Sequence, residues 1–233
     1  MPVLALDTSA AASVSLTDEA GVTLASRATP ERRRHAELLA PMIVDVLADA
    51  GADRRDLTAV VVGTGPAPFT GLRVGLVTAR ALGVALGVPV HGVSSLDALA
   101  AGAARTLDLA PGTEVLATAD ARRREVYAAR YRVLDPAQHH GALVELVGGP
   151  VVDAADVVAA GLGAGALVVG AGAELYPDLL PPVAGAPTEP DPAELARLAL
   201  ARLAAGATEL PTAPLYLRRP DAVPSAERKR ASA

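Results

Sequence analysis

Apolar and polar positions follow two different periods along the first hundred residues. Short runs that are apolar throughout, or that alternate, predict five strands, at residues 3–6, 13–16, 22–27, 57–62 and 88–93. Runs in which apolar residues recur every three or four positions predict three helices, at residues 35–49, 71–87 and 94–104. Thr70 is a suitable N-cap for the second helix. The predicted order, β-β-β-α-β-α-β-α, is typical of an α/β protein.

The same order starts again in the second half of the chain. Apolar runs predict strands at residues 115–120, 126–131, 143–147 and 167–170, and helical spacing predicts helices at 151–159 and 192–205. Two halves of similar order predict a duplicated β-β-β-α-β-α unit whose second copy is the more eroded. The predicted divisions are one subdomain at 1–104, a second at 105–206, and an extension with a basic tail at 207–233.

The second predicted helix carries small residues at every fourth position: Gly71, Gly75, Ala79, Gly83 and Gly87. This spacing places them on one side of the helix, which is almost free of side chains. Glycine inside a helix costs about 1 kcal/mol relative to alanine, so close approach of another backbone is expected to offset it. Two interpretations stay open: the stripe packs on the chain's own sheet, or it contacts a helix of a second subunit.

Composition narrows the possible functions. The chain has no cysteine, which excludes disulfides, thiolate catalysis and zinc–thiolate sites, and it has only four histidines. Its formal net charge of −5 argues against a dedicated nucleic-acid-binding protein. No apolar stretch reaches ~18 residues without a charge or a turn, so no membrane span or membrane partner is expected. Without a signal peptide, the expected location is the cytoplasm.

The glycine-rich segment at 63–71 connects a predicted strand to a predicted helix, as phosphate-binding loops do. It lacks their Gly-Lys-Ser/Thr ending, and Pro66 and Pro68 each remove a backbone donor. A rigid loop that presents Phe69, the only phenylalanine, is better explained as a contact surface or a core plug. No nucleophile is paired with a base, so no catalytic residue is predicted.

Several segments resemble one known family, in the family's order and over nearly the whole chain. They lie at residues 4–9, 35 with 38–42, 65–73, 120–122 with 125–127, and 214–218. The order of elements is similar to that of the actin, Hsp70 and sugar-kinase (ASKHA) superfamily, and the segments resemble the TsaB, or YeaZ-type, family. The run Gly-Pro-x-x-Phe-Thr-Gly-x-Arg at 65–73 is the most specific. Ala67-Pro68 departs from it, since many relatives carry Gly-Ser there.

The resemblance implies a duplicated ASKHA fold and a subunit that is not itself catalytic. TsaB-type proteins are implied to pair with the catalytic paralogue TsaD, to form homodimers when alone, and to be joined by the ATPase TsaE. The assembly transfers threonylcarbamoyl from threonylcarbamoyl-AMP to N6 of adenosine 37 in tRNAs that read codons beginning with A, so tRNA is reached through the complex. The alternative is a stand-alone ATPase or small-molecule kinase of the same fold.

The resemblance also implies that helices of the N-terminal half contact the partner. The expected interface residues are His35, Leu39, Met42, Phe69, Gly71, Leu72, Gly75, Leu76, Ala79 and Gly83. TsaD-like enzymes hold a metal through two histidines four residues apart on a helix, but here the second position is Leu39. One imidazole cannot form such a site, so no metal is expected.

Members of the superfamily use acids after the first strand of each half to hold metal-bound phosphates. The corresponding turns here are Asp7 with Thr8 and Ser9, and Asp120 with Arg122. These five residues are the candidate residual nucleotide site, although the first turn has no glycine to admit a phosphate closely. No cofactor is expected for the chain by itself; ATP or ADP is a candidate ligand at the junction with the partner.

Overall fold

The computed structural model describes residues 2–31 and 34–218, which contain two mixed β-sheets. The strands of the first sheet are Val3–Asp7 (β1), Ser13–Thr17 (β2), Thr23–Ala28 (β3), Ala59–Gly63 (β4) and Val90–Val93 (β5). The helices of this half are His35–Asp49 (α1), Phe69–Leu86 (α2) and Ser95–Thr106 (α3), with a short 3₁₀ turn at Arg54–Asp56.

The second half has a smaller sheet and shorter helices. Its strands are Glu114–Asp120 (β6), Glu125–Val133 (β7), Val144–Ala154 (β8) and Leu167–Val169 (β9). Its helices are Ala155–Gly161 (α4), Ala171–Leu175 (α5) and Pro192–Ala204 (α6). Residues 207–218 contain no helix or strand, and the predicted basic tail lies outside the described residues.

Both sheets are built around the first strand of their half. The first sheet has the order β3-β2-β1-β4-β5, in which β1 is antiparallel to β2 and parallel to β4. The second has the order β8-β7-β6-β9, in which β6 is antiparallel to β7 and parallel to β9. The repeated topology, with one strand fewer in the second copy, confirms the predicted duplicated α/β fold.

The two halves exchange their last helices. α3 follows the first sheet in the chain but packs against β6, β7 and β8, whereas α6 packs against β1, β2 and β4. α3 and α6 also pack against each other, so they form one layer shared by both sheets. The predicted boundary at 104/105 therefore does not separate two units that pack independently.

Buried ion pairs join α3 to α6. Glu194 on α6 is 2% exposed, and its Oε1 lies 2.6 Å from both Arg105 Nε on α3 and Arg197 Nη1. At the other end of the layer, Asp97 on α3 pairs with Arg202 on α6. Each buried carboxylate thus has a cationic partner, which offsets the cost of removing it from water.

A tyrosine of the second sheet completes this layer. Tyr131 donates its hydroxyl hydrogen to Asp97 Oδ1 at 2.7 Å. Burial, together with the nearby Asp97 charge, raises the pKa of Tyr131 well above its usual value, so the hydroxyl stays protonated and remains a donor. β7, α3 and α6 therefore meet at one hydrogen-bonded point.

Three details of the predicted elements were wrong: one boundary, one missing helix and one cap. Residues 151–154, predicted as helix, continue β8 because their valines pair with β7, and α4 begins only at Ala155. The short helix α5 was not predicted. Thr70 is not an N-cap: α2 already begins at Phe69, after Pro68, whose fixed φ suits this position.

The small-residue stripe of α2 faces the chain's own sheet. A Cβ at Gly75 would overlap the Thr8 hydroxyl, and one at Gly83 would overlap the Val90 side chain. A Cβ at Gly71 would lie 2.9 Å from the Thr8 carbonyl oxygen. The fifth small residue, Gly87, instead ends the helix with a left-handed φ of 68°. The interpretation that the stripe packs inside the chain is therefore the one that the structure supports.

This packing corrects the expected interface. The buried members of that set belong to the chain's own core, because α1 and α2 turn these side chains toward the first sheet: Leu39, Leu72, Gly75, Leu76, Ala79 and Gly83. His35 is also buried, and Gly71 meets the turn after β1. Met42 and Phe69 are half-buried. A partner can reach α1 and α2 only from their outer side.

α2 is long and apolar enough to cross a membrane by length and composition alone. The sequence predicts no membrane-spanning segment here, because Arg73 and Arg80 interrupt the apolar run. A core helix meets the same two criteria, and five residues of α2 are buried against the first sheet. Length and composition therefore carry no argument for a membrane.

We predict that Gly75→Ala lowers the free energy of unfolding by about 2 kcal/mol, because the added methyl group displaces a buried hydroxyl from its partners. The matched control is Gly161→Ala at the end of α4, where a Cβ meets nothing within 4 Å. Urea denaturation of both variants measures the difference. Equal stabilities of the two variants would show that the stripe does not require glycine at position 75.

Candidate functional site

A cavity of about 310 Å³ lies between the turn after β1 and the turn after β6. Its walls are mostly apolar, with hydroxyl groups from both halves and one pair of charged side chains. The polar residues that line it include Ser9, Thr70, Ser95, Asp120, Arg122 and Thr188. The two turns predicted to face a common cleft do so, but only part of each turn reaches the cavity.

Asp7 is enclosed by its own fold and does not line the cavity. Its Oδ1 accepts hydrogen bonds from the Ser9 amide at 2.7 Å and the Ser9 hydroxyl at 2.5 Å. Its Oδ2 accepts one from the Ser95 hydroxyl at 2.6 Å. Burial raises the pKa of Asp7, and the bonds from Ser9 and Ser95 oppose that rise in part. The carboxyl group thus ties β1 to α3.

A glycine makes room for this carboxyl group. Gly63 ends β4 beside β1, and a Cβ at that position would overlap Asp7 Oδ2. The Ser95 hydroxyl accepts a hydrogen bond from the Gly65 amide at 3.2 Å while it donates to Asp7. Sequence reasoning missed Gly63 and Ser95, since a glycine after a strand and a serine before a helix usually indicate a turn and a cap.

Thr8 and His35 also direct their polar atoms into the fold. The Thr8 hydroxyl donates to the Gly71 carbonyl at 2.8 Å and accepts from the Gly75 amide at 3.2 Å, both in the first turns of α2. The His35 Nε2–H donates to the Ala10 carbonyl at 2.9 Å. The turn after β1 is therefore held by α1, α2 and α3 together, and the hydroxyls of Thr8 and Ser9 both donate within the fold.

Asp120 and Arg122 pair with each other across the opposite wall of the cavity. Asp120 Oδ1 accepts from the Arg122 amide at 2.7 Å, and Oδ2 lies 2.9 Å from Arg122 Nη1. Arg122, Arg123 and Arg124 have φ of 62°, 56° and 64°, which costs about 1–2 kcal/mol per non-glycine residue. Of the five predicted nucleotide-site residues, Thr8, Ser9, Asp120 and Arg122 line the cavity and Asp7 does not.

The described residues hold no group of three histidine, aspartate or glutamate side chains suited to a metal ion. Asp7 and Asp120, the two acids expected at a nucleotide site, do not converge on the cavity. What the cavity presents to a ligand is a mostly apolar wall, several hydroxyl groups and one internally paired charge.

A second candidate site is the outer side of α1 and α2. Three valines are largely exposed there: Val44 on α1 by 65%, and Val77 and Val84 on α2 by 63% and 87%. Contiguous exposed apolar patches mark protein contact surfaces, and Val77 and Val84 lie two turns apart on one side of α2. We call this surface, made of the exposed residues of α1 and α2, the outer helix face.

Charges of opposite sign flank these valines. α2 exposes Arg73 and Arg80, whereas α1 exposes Glu37 and Asp45. The outer helix face thus has a basic side on α2 and an acidic side on α1.

We predict that Asp7 makes stability depend on pH. Because its pKa is raised in the folded state, its contribution to stability is complete below the ordinary value near 3.8 and is lost as pH rises through the folded pKa. The stability of the unmodified chain relative to Asp7→Asn should therefore fall as pH rises above the ordinary pKa of 3.8, as measured by urea denaturation. Asp45→Asn on the exposed side of α1 is the control for losing one negative charge. A difference from Asp7→Asn that rises with pH, or stays constant, would contradict the burial argument.

Comparisons with known proteins agree over most of the chain. The family model described as TsaD, tRNA N6-adenosine threonylcarbamoyltransferase, matches residues 24–222. An uncharacterized protein of Mycobacterium tuberculosis is 43% identical over 205 residues, which cover 88% of this chain and 85% of that protein. The tRNA threonylcarbamoyladenosine biosynthesis protein TsaB of Escherichia coli is 37% identical over 148 residues, covering 63% and 62% of the two chains.

A solved structure has the same fold. YeaZ from Pseudomonas aeruginosa superposes with a TM-score of 0.77 and 35% sequence identity, over 93% of this chain and 99% of that one. The family model, the relatives and this structure cover both halves of the molecule in one order. The chain therefore belongs to the TsaD family and, within it, to the TsaB or YeaZ type.

Proposed function

We propose that this chain supports the formation of threonylcarbamoyladenosine in tRNA as the partner subunit of a catalytic TsaD-type paralogue. In this role it supplies a docking surface, and the paralogue supplies the reactive centre that transfers the threonylcarbamoyl group to adenosine 37. Membership of the TsaB type and the names of its relatives support the pathway. The observation that carries the docking role is the outer helix face.

Two features of the outer helix face support this role. It exposes Val44, Val77 and Val84, whose removal from water would stabilise a complex. It places arginines on α2 and acids on α1, which favours a partner of the same fold in a two-fold arrangement. A TsaD-type paralogue satisfies this requirement, and so does a second copy of the chain, which supports the predicted homodimer of the chain alone.

The interior of the molecule supports a docking role over independent catalysis. A stand-alone ATPase or kinase, the alternative function, requires Asp7 and Asp120 to act on one ligand. Asp7 is sealed behind Ser9 and Ser95, and Asp120 is paired with Arg122. The Thr8 and Ser9 hydroxyls and the Ser9 amide donate within the fold, so these three groups are not available to bind phosphate oxygens.

Three further components stay predictions from the family resemblance: the ATPase TsaE, tRNA reached through the complex, and ATP or ADP at the junction of the two subunits. The cytoplasmic location also stays a prediction.

We predict that Val77→Glu and Val84→Glu each weaken pairing with the TsaD homologue by about a hundredfold, because burying a carboxylate in place of an apolar side chain costs roughly 3 kcal/mol. Affinity is measured by calorimetry. Threonylcarbamoyladenosine in tRNA from cells that carry each variant as the only copy should fall in parallel.

The matched control is Val157→Glu, which introduces the same charge at a 51% exposed valine on α4 of the second half. It should pair and support the modification like the unmodified chain. Full pairing of both α2 variants with the TsaD homologue would overturn the proposed surface. Normal modification without this chain would overturn the proposed function.

A further inference from the structure

The segment Leu210–Arg218, which we call the strap, is fixed along the first half of the molecule. The Gly92 amide on β5 donates to the Leu210 carbonyl at 2.8 Å, and the Leu215 amide donates to the Thr64 carbonyl at 2.8 Å. A Cβ at Gly92 would overlap the Pro211 carbonyl, so glycine at this position allows the close approach. The strap is thus an integral part of the fold.

Two arginines of the outer helix face hold the strap from the side. Arg73 Nε donates to the Tyr216 hydroxyl at 3.0 Å. Arg80 donates to Thr212 twice, to its hydroxyl at 3.0 Å and to its carbonyl at 2.7 Å. Arg73 and Arg80 lie two turns apart on α2, and Val77 lies between them on the same side. The strap therefore forms one rim of the outer helix face, beside Val77.

An aromatic and cationic cluster marks this rim. The rings of Tyr216 and Phe69 lie 4.7 Å apart, and the Arg73 guanidinium lies 5.8 Å and 5.6 Å from their centres. Tyr216 remains 40% exposed although it packs on both. The chain has only one phenylalanine and four tyrosines, and two of these five rings are placed here. Tyrosine and arginine are the residues that most often carry the binding energy of protein interfaces.

We propose that the strap is the third element of the partner-binding surface, with Tyr216 and Arg73 as its anchor for a TsaD-type partner. This inference rests on the proposed function, because it assigns part of the surface that the partner would occupy. A partner seated on Val77 and Val84 contacts the strap because Arg73 and Arg80 connect the two. The partner supplies apolar surface to the exposed side of Tyr216 and a carboxylate to the arginines, as the acidic side of a related α1 would.

Site-specific photo-cross-linking tests this placement without relying on stability. A benzophenone amino acid replaces Tyr216 in one sample and Leu175 in another; Leu175 is 52% exposed on the second half and serves as the control. Each chain is mixed with the purified TsaD homologue and irradiated. We expect a cross-linked heterodimer from position 216 and none from position 175.

Affinity measurements separate the anchor from simple attachment of the strap. Tyr216→Ala removes the exposed ring and should weaken partner binding about tenfold or more, whereas Tyr216→Phe keeps the ring and should weaken it less. Thr212→Ala removes only a side-chain bond between Arg80 and the strap. It should cost less affinity than Tyr216→Ala, since the Arg80 bond to the Thr212 carbonyl remains.

The outcomes distinguish this inference from the proposed function. If Val84→Glu abolishes pairing while position 216 gives no cross-link and Tyr216→Ala binds normally, the strap inference fails and the function stands. Cross-links from 216 only to a second copy of the chain, in the presence of the TsaD homologue, would also overturn it. Equal loss of affinity in Thr212→Ala and Tyr216→Ala would show that the strap acts only by its attachment to α2.

Discussion

The rest of the structure depends on the contact between the β1–β2 turn and α2. The Thr8 hydroxyl bonds to the Gly71 carbonyl and the Gly75 amide, and no side chain fits between the turn and the helix. A contact this close satisfies buried polar groups of both partners at once. This contact explains why α2 is stable although it contains several glycines, because its stabilisation comes from the turn and not from a second subunit.

The same contact separates the two surfaces that a function could use. On the inner side, the polar atoms of Asp7 and Thr8 form hydrogen bonds with Ser9, Ser95 and α2. The cavity is therefore lined mainly by hydroxyl groups and apolar side chains. On the outer side, α2 is turned so that Val77 and Val84 face away from the sheet. Packing that encloses the acid of the first half thereby creates the exposed face that the proposed partner role requires.

The halves are joined by more than the linker between them. α3 and α6 cross to the opposite sheets and are held by Glu194 with Arg105 and by Asp97 with Arg202. The strap adds a second connection, because Arg218 donates to the Ala121 carbonyl at 3.0 Å and pairs with Glu125. A partner that contacts the strap would therefore touch an element bonded to the strained arginine turn at the cavity. In this arrangement the strap connects the proposed docking surface to the cavity by direct contacts.

The sequence by itself determined the elements and their order. Hydrophobic period distinguishes strands from helices within a segment, and repetition of that order in the second half indicated the duplicated fold. The Gly-Pro-x-x-Phe-Thr-Gly-x-Arg run indicated the family, because local motifs survive where overall similarity is modest. One error lies where pairing between distant segments decides, in residues 151–154, which the partner strand β7 holds in β8. The missed helix α5 and the start of α2 were errors in reading the local pattern.

Only the tertiary structure decided which side of each element is occupied. The spacing of Gly71, Gly75 and Gly83 shows that something approaches the helix closely, but not whether it belongs to the same chain. The positions of Asp7 and Asp120 after equivalent strands show that both turns meet at a cleft, but not that Asp7 is sealed by Ser95, 88 residues away. Contacts of this kind depend on how far-apart segments fold back on one another, and no local pattern of residues encodes that distance.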